Sequence, residues 1–219
     1  MKRVRVMNER IAMIFKIRKI YTLYYNIRYR LIRKRVISLI LYKGTKVKIY
    51  KSCDLNIEGK LFLGNPFTNK FYQGCKYTTL LNCNAGSNIN IQGNVSFGPE
   101  CRIVVEKEAE LTIKGETYFS AENKILVYNR VIIGEKCNIS WNVTIMDSNG
   151  KMIDNKNPHG EVKIGNKVWI GTNSIILKDT IIGDNCIIAA NSVVKGVFPE
   201  NCLIGGNPAK VLRKDVQWC

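Results

Sequence analysis

From Ile164 onward a large aliphatic residue recurs at every sixth position: Ile164, Ile170, Ile176, Ile182, Ile188 and Val194. Four residues after these come smaller ones: Val168, Ser174, Thr180, Cys186 and Ser192. Gly165, Gly171, Gly183 and Ala189 directly follow the aliphatic position. The register returns upstream as Val127, Ile133, Ile139 and Ile145, with Val131, Cys137 and Val143 in the second column. It is weaker still earlier, as Ile91, Phe97, Ile103 and then Ile113, Phe119, Ile125. A period of six matches neither a helix nor an ordinary strand. It predicts short strands joined by sharp corners, each strand pointing one large side chain inward. The small residue lets the corner close, and Gly or Asn tolerates the backbone conformation there. Stacked coils then bury a continuous column of Ile and Val, as solenoids do.

The first quarter of the chain reads differently. Residues 8–42 mix Ile, Leu and Tyr with Arg and Lys, and no uncharged stretch approaches the ~20 residues a membrane span needs. The pattern predicts a basic amphipathic helix lying on an anionic bilayer, with Tyr21, Tyr24, Tyr25 and Tyr29 at headgroup level. A helix packed on the coils with its charges outward fits the same pattern. Three segments are expected: a basic N-terminal segment 1–50, a β-helix 51–213 and a tail 214–219.

Charge sharpens this division. Residues 1–51 hold 16 Lys/Arg and one acid, Glu9, whereas residues 52–219 hold 18 Lys/Arg and 16 acids. The net +17 therefore belongs mainly to the N-terminal segment, which seeks an anionic surface. No nucleic-acid recognition motif accompanies it, so nucleic acid is not an expected partner. With 46% hydrophobic residues the remainder can fill a core. Eight cysteines include no CxxC pair, and a single histidine is too few for a Cys/His zinc site, so no metal is expected. The cysteines read as reduced, mostly buried thiols. Charges at Lys16, Arg18 and Lys19 break the first apolar stretch, so no signal peptide is expected. The expected location is the cytoplasm, at the inner face of the cell membrane if the basic segment binds lipid.

The stretch IGNKVWIGTNSIILKDTIIGDNCIIAANSVVKGVFPENCLIGGNPAKVLR, residues 164–213, resembles the hexapeptide-repeat acyltransferase superfamily. The likeness extends to about residue 88 and is greatest to maltose, galactoside and capsule or lipopolysaccharide O-acetyltransferases. It implies an all-β left-handed parallel β-helix, a homotrimer with active sites between subunits, acetyl-CoA as acyl donor and a sugar hydroxyl as acceptor. GNPAKVLR resembles the segment that closes the coil and contacts coenzyme A.

By the same resemblance Thr172 and Ala190 lie beside the pantetheine arm, Lys195 and Gly196 near its far end, and Lys210 and Arg213 at the phosphates. Acyl transfer to a hydroxyl needs a base, and histidine suits the task because it titrates near neutrality. The family's histidine follows an Asp-Ser-Asp-Gly-like run. Here that run is Asp147-Ser148-Asn149-Gly150 and is followed by Lys151. The only histidine is His159, later in the same loop. Three readings fit: His159 folds back as the base; Lys151 serves after strong desolvation; or the protein binds without catalysis. Asp147 resembles the family's acidic loop residue, there to orient an imidazole or bind a sugar hydroxyl, and equally fits a turn former. Asn123 falls near a substrate-binding asparagine of the family. Trp141 and Trp169 should face outward, to stack on a sugar or to pack between subunits. Three histidines would be needed for a metal-dependent carbonic anhydrase of this fold, and no Gly-rich phosphate loop supports nucleotidyl transfer. Two function classes remain: a coenzyme A-dependent O-acyltransferase of surface-polysaccharide synthesis, and a non-catalytic β-helix that binds or scaffolds polysaccharide assembly.

Overall fold

The computed structural model describes residues 17–29, 32–33, 36–66 and 77–218. Residues 1–16 of the basic segment, together with Cys75 and Cys219, lie outside the described residues.

The chain winds as a left-handed parallel β-helix with three faces. Face A stacks Leu39–Leu41, Leu61–Leu63, Val95–Phe97, Thr117–Phe119, Asn138–Ile139, Trp169–Ile170, Ile187–Ile188 and Cys202–Gly206. Face B stacks Thr45–Ile49, Thr79–Cys83, Arg102–Val105, Lys124–Val127 and Thr144–Met146. Face C stacks Asp54–Ile57, Asn88–Gln92, Glu110–Lys114, Arg130–Ile133 and Glu161–Ile164. The strand Ile175–Ile182 runs from face B round to face C, with a register shift between Ile176 and Thr180 against Val193–Phe198.

The six-residue columns are the inner wall. Ile139, Ile145, Ile170, Ile176 and Val194 are fully buried, each contributing roughly 1.5–3 kcal/mol. The smaller column does more than leave room: Ser174 donates to the Ala189 carbonyl (3.0 Å), Thr180 to Val194 (3.2 Å) and the Cys186 thiol to Pro199 (3.1 Å). Corner carbonyls sealed from water thus find donors on neighbouring coils. The six described cysteines are free and buried.

The fading of the upstream period has a geometric cause. Ile176 pairs with Val194 on the next coil, three whole hexapeptides further along the chain. Ile125 pairs with Ile145 and Ile103 with Ile125, and neither separation is a whole number of hexapeptides. The extra residues sit at corners, so the inner wall keeps its register in space while the sequence loses it.

The described part of the N-terminal segment holds a short helix that packs on the coils. Among the described residues only Lys19–Arg28, here α1, is helical. The β-helix also begins before residue 50, because Leu39–Leu41 pairs with Leu61–Leu63 and Thr45–Ile49 with Thr79–Cys83. The open end of a stacked sheet presents unpaired backbone groups, and α1 satisfies them. Asn26, fully buried, donates to the Leu39 carbonyl (2.7 Å) and accepts from the amides of Ser38 and Leu39, both at 3.0 Å. Thr22 accepts from the Leu41 amide (3.1 Å). Tyr25 and Tyr29 donate to Val47 and Ile49 carbonyls at 2.8 and 2.7 Å. These two tyrosines cap the coil instead of meeting lipid headgroups. At the other end Ala209–Lys214 turns back antiparallel on Cys202–Gly206, and Val216 is buried.

Candidate active site

Ile145 pairs with Ile176, a much longer excursion than the three hexapeptides that carry Ile176 to Val194. The excess is the loop 147–160 at the corner between faces B and C. It leaves and returns as a narrow ribbon: Gly160 N–H donates to the Asp147 carbonyl (2.7 Å) and Asn149 N–H to Pro158 (2.9 Å). Gly160 has to be small, because a Cβ there would collide with the Asp179 carboxylate. Lys178 donates to the Asn157 carbonyl (3.0 Å) and pins the returning arm.

This folding back carries His159 to the start of the loop. Its Nδ1 lies 2.9 Å from Ser148 Oγ, and its ring stacks on Tyr128 with centroids 5.5 Å apart and planes 7° from parallel. Ser148 is buried and its Oγ also accepts the Gly150 amide (2.9 Å). The imidazole is half-buried, held on one face by Tyr128 and at one nitrogen by Ser148. Lys151 is exposed on the outgoing arm.

Asp147 does not touch the imidazole. Its carboxylate is fully buried and accepts the backbone amides of Tyr128 (2.8 Å), Asn129 (2.8 Å) and Arg130 (2.6 Å). Three charge-assisted bonds occupy it. It fixes the corner that carries Tyr128, and so acts on His159 only through the ring beneath it. Asn123 is likewise committed: fully buried, it accepts from the Val143 amide (2.9 Å) and donates to the Ser120 carbonyl (3.1 Å). It closes a corner and offers nothing to a ligand.

The remaining expected residues fall on two corners and the closing strand. Trp141, Thr172 and Ala190 lie between faces A and B, Trp141 and Ala190 exposed and Thr172 half-buried. Lys195 and Gly196 lie where Val193–Phe198 turns from face B to C, on the same edge as His159. Lys210 and Arg213 are exposed on the closing strand. Trp169 is on face A, donates to Ser140 Oγ (3.2 Å) and leans on Trp218. A single chain therefore separates the imidazole from Thr172 and Ala190 by the width of face B. The outward residues of that face include Leu80, Val104, Leu126, Met146 and Val193, all half-buried.

Sequence reading missed Ser148 and Tyr128 as partners of His159. Ser148 had a signal, standing inside the run that replaces the family's motif. Tyr128 had none, because the corner that presents it is set by Asp147 across a coil. Among the described residues no group of three or more His, Cys, Asp or Glu side chains is placed to hold a metal ion, and no helix is long and apolar enough to cross a membrane.

Known proteins share both the repeat and the coil. Residues 161–196 match the family described as bacterial transferase hexapeptide (six repeats). A protein of Escherichia coli K12, provisionally named as a lipopolysaccharide biosynthesis O-acetyl transferase, is 29% identical over 167 residues, covering 67% of this chain and 83% of the relative. The galactoside O-acetyltransferase of the same organism is 32% identical over 106 residues, covering 46% of this chain and 52% of the relative. Among solved structures, a polysialic acid-specific acetyltransferase superposes with a TM-score of 0.53 at 21% identity, covering 83% of this chain and 82% of the other. That last likeness is one of fold.

Proposed function

Because the chain belongs to the hexapeptide-repeat acyltransferase superfamily, we propose that it is a coenzyme A-dependent O-acetyltransferase that modifies a sugar hydroxyl in surface-polysaccharide synthesis. The observation that carries this reading is the return of His159 to the Asp147-Ser148 run, where its ring is held by Ser148 and Tyr128.

In the productive tautomer Nδ1–H donates to Ser148 Oγ, which leaves the Nε2 lone pair free. His159 then removes the proton as the sugar hydroxyl attacks the thioester carbonyl carbon. The oxygen–acyl bond forms, the carbon–sulfur bond breaks, and the imidazolium returns its proton to the departing sulfur. Thr172 and Ala190 suit a groove for the pantetheine arm, and the exposed cations Lys195, Lys210 and Arg213 suit its phosphates.

A homotrimer completes this arrangement. If face B turns toward the three-fold axis, its outward apolar column is covered. The corner bearing His159 then meets the corner bearing Thr172 and Ala190 of the next subunit. The N-terminal segment adds an anionic membrane surface as partner: Ile20, Leu23, Tyr24 and Ile27 form an exposed stripe on α1, opposite the buried Thr22 and Asn26. Basic residues surround it in the sequence.

Thiol release from acetyl-CoA in the presence of a sugar panel tests the reaction. Sugar-dependent turnover supports it. Sugar binding without turnover favours a non-catalytic binding role. Light scattering should give three times 24.9 kDa.

A further inference from the structure

The corner between faces A and B carries a ladder of polar side chains beyond the residues assigned above. Thr78, Glu100, Glu122 and Asn142 stand two residues before Leu80, Arg102, Lys124 and Thr144, which pair in register across face B, Leu80 against Arg102, Arg102 against Lys124 and Lys124 against Thr144. The four therefore stack one above another. Three steps at ~4.8 Å give a span of roughly 14 Å. Beside the ladder run Arg102 and Lys124, and Tyr77 stands at its far end. Together they line an open cavity of about 550 Å³.

The ladder and the proposed acyl-donor groove are continuous. Asn142 donates to Asn173 (2.9 Å), the residue after Thr172, and accepts from Lys124 (3.0 Å). Asn142 also directly follows Trp141. Glu100, Glu122, Asn142 and Asn173 all adopt the left-handed conformation, with φ of 60°, 66°, 51° and 61°, as do corner residues elsewhere in the coil. That conformation costs a non-glycine residue roughly 1–2 kcal/mol, and glutamate has none of asparagine's tolerance for it. Among the described residues the carboxylates of Glu100 and Glu122 and the guanidinium of Arg102 have no hydrogen-bond or ion-pair partner, although opposite charges share the cavity.

We propose that this corner is an extended acceptor subsite, which holds several consecutive units of an oligosaccharide alongside the unit that is acetylated. The inference rests on the acyltransferase reading for its chemistry, and on the cavity alone for its binding. A volume of this size belongs to sites that enclose a drug-sized ligand, more than one sugar ring fills. Carboxylates accept from sugar hydroxyls, Arg102 and Lys124 donate to them, and Tyr77 offers an aromatic face. Two acids beside two bases give no net charge, so the favoured ligand is an uncharged glycan and not a polyanion. The substrate class is thus a polymer or a lipid-linked oligosaccharide in preference to a free monosaccharide.

Calorimetric titration of the full-length protein with galacto-oligosaccharides of one to six units tests this, with polysialic acid as the anionic control. The His159→Ala variant is titrated in parallel, so that binding is read without turnover. Affinity should rise at least tenfold from one unit to four and then level off. In Glu100→Gln/Arg102→Ala the gain with length should vanish, a loss on the order of one charge-assisted hydrogen bond or more. Unchanged thermal melting of that variant separates a lost contact from a lost fold. Length-dependent binding without any acetyl transfer would sink the acyltransferase reading and leave the subsite standing. Equal affinity for all lengths, an undiminished gain in the variant, or tighter binding of polysialic acid would overturn the subsite, whatever the turnover.

Discussion

His159 and Ser148 are eleven residues apart in the chain and 2.9 Å apart at their polar atoms. In this contact one ring nitrogen is engaged and the ring lies against Tyr128, while the other nitrogen makes no hydrogen bond among the described residues. Its scaffold is a carboxylate that never touches it. Asp147 fixes the Tyr128 corner, Tyr128 supports the imidazole, and Ser148 sets which nitrogen is free.

If this arrangement does the chemistry, His159→Ala should lower kcat by roughly 10²–10⁴, the usual contribution of general base catalysis. The KM for acetyl-CoA should hardly move, because its phosphates are proposed to meet Lys195, Lys210 and Arg213 and not the imidazole. Ser148→Ala should lower kcat by a smaller factor, on the order of ten, by releasing the ring and its tautomer. Steady-state kinetics with both substrates varied would check this. Full activity in both variants would remove His159 from the mechanism.

Asp147→Asn should behave as a folding mutation first. An amide cannot accept from three converging N–H groups, and it turns a donor toward them. The expected loss is about 2–4 kcal/mol in urea unfolding, the range for breaking charge-assisted bonds at a buried site. Activity per folded molecule should fall less than in His159→Ala. The reverse ranking would mean that Asp147 acts on the reaction directly.

Legibility in the sequence followed coil length. Where a coil is three whole hexapeptides, Ile, Val and Ser stand in register and the fold is readable from Ile164 to Val194. Where corners hold extra residues, the same inner wall exists but Ile103 and Ile125 no longer keep step. Within the loop the sequence singled out His159 as the one histidine, but it did not show that Ser148, eleven residues earlier, is the group its ring reaches. Asp147 and Asn123 misled because a polar residue in a motif-like position looks identical in sequence whether it faces ligand or backbone. Only a neighbouring coil, distant in sequence and adjacent in space, decides which. Between a helix packed on the coils and one lying on lipid the sequence left the choice open for the same reason: the groups Asn26 satisfies belong to a sheet edge that sequence periodicity does not display.

Asn26→Ala should therefore cost about 2–4 kcal/mol, since two buried amides and a carbonyl lose their partner together. Removal of residues 1–45 should yield aggregated protein, because it uncovers the Leu61–Leu63 edge and strips the α1 cap from Val47 and Ile49. The membrane reading is better tested with Ile20→Ser/Ile27→Ser, which leaves the capping face intact. That variant should keep its melting temperature and lose flotation with anionic vesicles.

The buried thiols predict a specific alkaline weakness. Burial pushes Cys101 up to about 12 and Cys137 up to about 11, from an ordinary value of 9.0. A raised pKa means the folded state holds its proton more tightly than the unfolded chain. The stabilisation is complete below pH 9, where both states are protonated. It is lost as the pH rises from 9 through about 12, where the unfolded thiols ionise first. Other groups also titrate there, so the measurement is a difference. Cys101→Ser/Cys137→Ser places hydroxyls where Ser174 and Thr180 already serve in other coils, and a hydroxyl does not ionise in this range. Urea unfolding at pH 8 and pH 10.5 should show a smaller drop for the double variant than for the native chain. Parallel drops would mean that these thiols ionise as readily inside the coil as outside it, and that water reaches the inner wall.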